Sequence, residues 1–244
     1  MSTCTKELEL VVEGGLRVWY PLEATGAQVD VLSGIVASES NPGSSTFSAP
    51  AGKVLNGALI TKAAFDVNVG FDTGIIGALA YDAADGFTLC GWARRVTGSA
   101  NQILSCSLAL YADAGGVTLN GLLDLSDGVN ICQVGTSGTP FSICNTNVAH
   151  VVGLGTFFFF VASYRPSDGK ALFQIDNGPV QTSACSVIIP SSPFGRFRLI
   201  YGGINPAGEG QFDEVALFYP MLTQPQIDYI WNGGLGRTPP ITLP

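Results

Sequence analysis

From residue 57 to residue 134 the chain repeats one arrangement: an apolar run of four to nine residues, then a break at Gly, Asn, Asp or Ser. The runs fall at 57–60, 74–81, 87–94, 102–110, 117–125 and 129–134. An amphipathic helix needs apolar residues three and four apart over ten or more positions, whereas runs this short, bounded by turn formers, fit strands. The breaks leave no room for the crossover helices of an α/β fold. An antiparallel all-β architecture is what such strands can build.

The flanks extend the pattern. Leu16, Val18 and Tyr20 alternate with Arg17, Trp19 and Pro21, which predicts a first strand. A Ser/Gly/Pro-rich passage over 33–52 predicts a surface excursion. Asp168-Gly169 separates 157–164 from 171–176, and Asn177-Gly178 follows at once. These residues accept positive φ, so two hairpin turns and three antiparallel strands in a row are expected. One helix is supported: Thr223 is its N-cap, Gln226 completes a capping box, Leu222 faces Ile227 as a staple, and Gly233 ends it after Trp231. The chain then divides into an N-terminal arm (1–14), one domain (15–236) and a Pro-rich tail (237–244).

Hydrophobic residues make up 46% of the chain and charged ones 12%, so apolar material suffices for a core and a solvated, disordered chain is excluded. A formal net charge of −8 repels a polyanion and excludes nucleic acid as a partner. The most apolar stretch, 151–164, is shorter than the roughly 20 residues of a membrane-spanning helix and rich in aromatic and β-branched types, so it is expected to be a strand rather than a membrane insertion. Residues 1–10 carry Lys6, Glu7 and Glu9 and no apolar run, so no export signal is expected there. The six cysteines (Cys4, Cys90, Cys106, Cys132, Cys144, Cys185) contain no C-x-x-C pair and are expected to be reduced and buried. Cys132 and Cys144 flank a Gly/Ser/Pro-rich turn, which leaves one bridge open to them.

Near the C-terminus the segment Gly210-Gln211-Phe212-Asp213-Glu214-Val215-Ala216-Leu217-Phe218-Tyr219 leads into Met221-Leu222-Thr223 and the helix. It resembles the closing signature of laminin-G-like, concanavalin A-like jelly rolls, in which a last strand bearing an Asp-Glu pair precedes a short helix. Four other stretches match that family in order: Trp19-Tyr20-Pro21-Leu22 with Asp30 and Ser33-Gly34; Gly52 to Leu59; Phe87-Thr88-Leu89-Cys90-Gly91-Trp92; and 157–164 with Asp168-Gly169-Lys170. The resemblance covers residues 15 to 236. It implies a two-sheet antiparallel β-sandwich with one short C-terminal helix. The family's Trp before its Tyr- and Asp-ended strand is replaced here by Thr156-Phe157-Phe158-Phe159-Phe160.

Catalytic chemistry finds little support. His150 is the only histidine, and beside an apolar strand it has no visible nucleophile or carboxylate partner, so no catalytic residue is assigned. A glycosidase needs two carboxylates on one face of a strand. Glu209, Asp213 and Glu214 come nearest, yet strict alternation sends Asp213 and Glu214 to opposite faces. An inner carboxylate in this apolar strand needs backbone N–H donors or a cation. Calcium is the candidate cation, with Asp30 and Asp213 as ligands, although no cofactor is required. Trp19, Trp92 and Trp231 are expected to pack rather than to stack on sugar. In the aromatic run, alternation puts Phe158 and Phe160 on one face and Phe157 and Phe159 on the other; Phe158 and Phe160 are the candidate binding pair, to be covered by a ligand, a subunit or the 33–52 excursion.

These features predict a non-enzymatic binding or structural module. The first expectation is a phage virion protein, as capsid decoration, head fibre or tail receptor-binding subunit, made in the host cytoplasm, homo-oligomeric and partnered by other virion proteins or a cell-surface glycan. The alternative is an extracellular carbohydrate-binding, lectin-like module, and a third reading is a glycan-active hydrolase.

Overall fold

Strand alternation decides which side chains meet. In chain order the strands are β1 (Leu16–Tyr20), β2 (Gln28–Val29), β3 (Val36–Ser40), β4 (Ser45–Ser48), β5 (Ala58–Lys62), β6 (Val69–Asp72), β7 (Phe87–Thr97) and β8 (Gln102–Ala112). They continue as β9 (Val117–Asp124), β10 (Val129–Thr136), β11 (Ile143–Ala149), β12 (Phe158–Arg165), β13 (Lys170–Ile175), β14 (Gln181–Ala184), β15 (Phe194–Gly203) and β16 (Gly208–Phe218), followed by helix α1 (Gln224–Trp231). The computed structural model describes residues 15–22, 26–40, 45–62, 69–97, 102–112, 117–124, 129–136, 143–149, 155–184, 189, 191–203 and 208–237. The N-terminal arm, His150, Cys4, Cys185 and the tail beyond Arg237 lie outside them. Among the described residues no helix is long and apolar enough to cross a membrane.

The strands pair antiparallel into two eight-stranded sheets. The first has the order β14-β13-β12-β7-β16-β5-β4, with β1 also on β16; the second runs β11-β10-β9-β8-β15-β6-β3-β2. Between them lies the main core, to which Val18, Tyr20, Phe158, Phe160, Phe173, Phe212 and Val215 contribute from the first sheet and Phe71, Leu108, Phe197 and Leu199 from the second. Tyr20 stacks on Phe197 with ring centroids 5.5 Å apart, and Phe87 on Tyr164 at 6.0 Å. The first contact ties the two sheets together and the second braces neighbouring strands of the first sheet, each beyond simple area burial.

The two hairpins form where Asp168-Gly169 and Asn177-Gly178 predict them, and β12, β13 and β14 are consecutive neighbours. Helix α1 starts at its predicted cap, where Thr223 N–H donates to Gln226 Oε1 at 3.0 Å, and ends as Asn232 and Gly233 turn left-handed. Three expectations need correction. The 33–52 excursion is not a loose cover: it carries β3 into the second sheet and β4 into the first. In β1 a register shift between Leu16 and Val18 puts Leu16 on the outer side with Trp19, while Val18 and Tyr20 point inward. Cys132 pairs with Thr146 and Cys144 with Val134 across β10 and β11, so the two cysteines are two register positions apart rather than opposite. Cys90 and Cys106 are free and buried, and burial pushes both thiols far above the usual range.

Candidate functional site

The aromatic run shows how the first sheet uses its two faces. Phe158 and Phe160, the candidate binding pair, are 2% and 0% exposed and belong to the main core, so they offer no surface to a ligand. Alternation was right and the choice of face was wrong, because period two separates two faces without saying which is inside. Phe157 and Phe159 point outward into a layer completed by α1 and by Val54, which lies just past the 33–52 excursion. A second apolar layer results: Trp19, Cys90, Trp92, Phe159, Val161, Ala216 and Phe218 lie beneath Leu222, Ile227 and Ile230. All three tryptophans pack there, Trp231 only partly buried. Arg94 lies over the Phe157 ring at 4.5 Å and Lys53 over Trp92 at 4.8 Å.

Within this covered face sits the acidic pair, and its geometry departs from strict alternation. Phe212 and Val215 both face the main core although they are three residues apart. The register on β7 explains this: Asp213 pairs with Trp92 and Ala216 with Cys90, so β16 carries one residue more than its partner. The extra residue is absorbed by a bulge in which Glu214 adopts φ +48°. Asp213 and Glu214 therefore both face outward, correcting the expectation of opposite faces. The bulge falls where β16 changes partners, from β5 over Gly208–Phe212 to β1 over Val215–Phe218. Gly91 on β7 makes the approach possible, since a Cβ there would lie 2.9 Å from Val215 Cα.

Each buried carboxylate is met by protein donors. Asp213 Oδ2 accepts Lys53 N–H at 2.6 Å and Val54 N–H at 2.8 Å, from a loop whose Gly52 leaves room for that oxygen. Glu214 accepts the Trp19 indole N–H. Asp30 Oδ1 accepts Trp19 backbone N–H at 2.5 Å, and Asp30 Oδ2 accepts both Ser33 N–H and Ser33 Oγ–H at 2.6 Å. Trp19 thus links Asp30 to Glu214. N–H donors aimed at a carboxylate oxygen present the positive dipole that a cation would otherwise supply, so Asp30 and Asp213 do not fit the predicted calcium site. Among the described residues no group of three or more His, Cys, Asp or Glu comes together as a metal set. Asp213 and Glu214 share a face, but at 0% and 3% exposure they are enclosed, and no substrate reaches them in this form. Glu209 sits apart, accepting Thr61 Oγ–H at 3.3 Å.

Beside α1 the covered layer opens. A recess of about 190 Å³ lies between the outer faces of β12 and β13 and the start of the helix. Val161, Leu172, Val180, Met221 and Ile227 supply apolar walls; Ser163, Gln174, Gln224 and Arg165 supply polar ones. Leu222 N–H donates to Thr88 Oγ1 at 3.0 Å, and Thr88 shares a 2.9 Å hydrogen bond with Ser163, which fixes the helix entry against the sheet. Gln224 Nε2 donates to Asp228 Oδ1 at 2.7 Å and to Gln174 Oε1 at 3.3 Å. With both amide hydrogens used, the Gln224 oxygen is available as an acceptor. At Arg165 the guanidinium grips Asp168 through Nε and Nη2 at 2.8 and 2.7 Å. These hydrogen bonds, joined by Lys170, hold the Asp168 carboxyl down at about 2. The recess was missed in the sequence because its residues come from β12, β13, the following turn and the helix. The available signal was the alternation of Val161, Ser163 and Arg165 opposite the inward-facing residues of β12.

No protein-family profile matches this sequence, and no curated protein matches it. Solved structures do. The binding domain of botulinum neurotoxin DC, solved in complex with rat synaptotagmin II, superposes with a TM-score of 0.63 at 13% identity over 92% of this chain and 52% of its own. A botulinum neurotoxin type C structure, whose report ties cell entry to interaction with two ganglioside molecules, gives 0.63 at 13% identity over 93% and 53%. Domain 4 of AbnA, an extracellular arabinanase from Geobacillus stearothermophilus solved with arabinotriose, gives 0.59 at 14% identity over 91% of this chain and 98% of its own. The chain spans about half the length of the neurotoxin domains. At such identities the likeness establishes the fold: this chain is an all-β, two-sheet antiparallel sandwich of the kind these domains contain.

Proposed function

We propose that the chain is a non-enzymatic recognition module of the concanavalin A-like type whose partner is a cell-surface glycan, held in the recess beside α1. The observation that carries this reading is the recess itself: an apolar floor with carboxamide and hydroxyl groups at its edge, open on a face where the carboxylates are already enclosed. A sugar ring has an apolar face and a rim of hydroxyls, and a few placed polar groups over apolar walls suit it. At about 190 Å³ the space fits one ring rather than a drug-sized ligand. The fold is shared with an arabinanase domain solved with arabinotriose and with part of a neurotoxin whose entry depends on gangliosides, which supports a glycan partner.

The test is a glycan array run with calcium and with chelator, followed by titration of the best binder. The reading expects binding that survives chelator and is lost in Val180→Asp and Gln224→Ala; no sugar bound under either condition overturns it. The setting we propose is a phage virion, where an oligomeric adhesion or decoration subunit meets host-surface glycan. Capsid, portal or tail genes flanking the coding sequence support that setting and their absence sinks it, while light scattering reads the oligomeric state.

A further inference from the structure

The second sheet turns a different chemistry outward. Along β15, Phe197 and Leu199 enter the main core, so Phe194, Arg196 and Arg198 form a row on the outer face. Strand geometry spaces them by roughly 7 Å each. Phe194 is 47% exposed. On the neighbouring strand β6, Asp72 lies opposite Arg198 in register, yet its carboxylate is taken by Arg196, which grips it through Nε at 2.8 Å and also through Nη2. Asp72 also accepts Gly74 N–H at 2.8 Å. Burial pushes the Asp72 carboxyl up, but these hydrogen bonds and the charges of Arg196 and Arg198 outweigh it and hold the carboxyl below its usual range.

Arg198 is left over. Its Nε is buried and, among the described residues, has no hydrogen-bond partner; the guanidinium reaches Asp72 only through its charge. A desolvated guanidinium N–H without an acceptor is costly and calls for an explanation, and the Arg198 side chain as a whole is only half-buried, so a ligand at this face can meet it. Two guanidinium groups against one carboxylate give this spot a net positive charge on a protein whose total is −8. Its register partners on β8 are the small residues Ser107 and Ala109, opposite Arg198 and Arg196.

We propose that this face binds a carboxylate-bearing oligosaccharide, with Arg198 receiving the carboxylate and the Phe194 ring supporting a neighbouring sugar. The planar guanidinium matches a carboxylate's two oxygens, and an exposed phenyl ring offers the flat apolar platform that a second ring needs. Spanning from Arg198 to Phe194, roughly 13 Å of strand, takes more than one ring. This site goes beyond the recess beside α1, which lies on the opposite outer face, and each can fail alone.

The experiment is calorimetric titration of the full chain with 3′-sialyllactose, with galacturonic acid trisaccharide, with neutral lactose and with inorganic phosphate. An acidic oligosaccharide should bind about tenfold or more tightly than lactose, and Arg198→Gln should remove about tenfold or more of that affinity. Phe194→Ala should weaken the oligosaccharide about threefold or more while leaving phosphate unaffected. Equal binding of sialyllactose and lactose, no binding of either acid, or an Arg198→Gln variant that binds like the parent overturns the proposal. Phosphate binding as tight as the trisaccharide also overturns it, since that is a generic anion site. Melting separates function from structure: Arg198 supports the fold only through its charge on half-buried Asp72, so Arg198→Gln should melt close to the parent temperature, and a fall of several degrees counts against the site.

Discussion

The two sheets treat their outer faces in opposite ways. On the first, Phe159 and Trp92 lie 5.2 Å apart beneath α1, and Asp213 and Glu214 are buried against donors from the 50–57 loop and β1. On the second, around β15, the aromatic is Phe194, half in solvent, and the charged row beside it includes Arg198, whose Nε has no acceptor among the described residues. The core between the sheets is common to both. The difference teaches that in a sandwich a stabilising second layer and an exposed charged row can be assigned to different sheets, so that changes to one need not disturb the other.

Four measurements sharpen or break that comparison. The largest effect is expected at Phe159: Phe159→Ala should cost about 4 kcal/mol in urea unfolding, because it empties a packed site under the helix. Next comes Asp213→Ala, which strands the Lys53 and Val54 N–H groups and should cost about 2 to 3 kcal/mol by the same measurement. Third is acid sensitivity on the second sheet. Asp72 titrates lower when folded than when unfolded, so its contribution is present above the usual carboxylate value of about 4 and fades as pH falls through the lower folded value. Melting scans against pH should therefore show a smaller decline below about pH 4 in Asp72→Asn than in the parent. The smallest effect is expected at Phe194→Ala, within about 0.5 kcal/mol of the parent, since an exposed ring loses little packing. A Phe194→Ala variant as damaged as Phe159→Ala would mean that the second sheet is covered too.

Much of the fold was legible and rather less of the site. Asp168-Gly169, Asn177-Gly178 and the Thr223 to Gly233 helix are local signals, set by residues adjacent in the chain, and each forms where the sequence places it. The face of the Phe157–160 run was misjudged because parity is local but insideness belongs to the partner sheet. The acidic pair was misplaced for a related reason: a bulge centred on a non-glycine residue, Glu214, leaves no composition cue. Asp30 and Asp213 looked like cation ligands because the N–H donors that meet them come from elsewhere, Asp213's from residues 160 and 159 positions away in the chain. On β15 the alternation of Phe194, Arg196 and Arg198 with Phe197 and Leu199 is visible in sequence, but that Asp72 bonds Arg196 rather than Arg198, which lies opposite it in register, is a fact of side-chain geometry.

The bulge at Asp213-Glu214 also bears on how this chain can change by gain or loss of residues. Adding one residue to a strand ordinarily inverts every side chain beyond it, which an eleven-residue strand at the centre of a core cannot survive. Here Glu214 takes up the extra position in its left-handed turn, so Phe212 before it and Val215, Leu217 and Tyr219 after it all still reach the core. Removing Glu214 would return the strand to plain alternation with the same residues inside. A gap in a sequence alignment at this point therefore need not mark a different fold, and relatives with and without the residue can share one core.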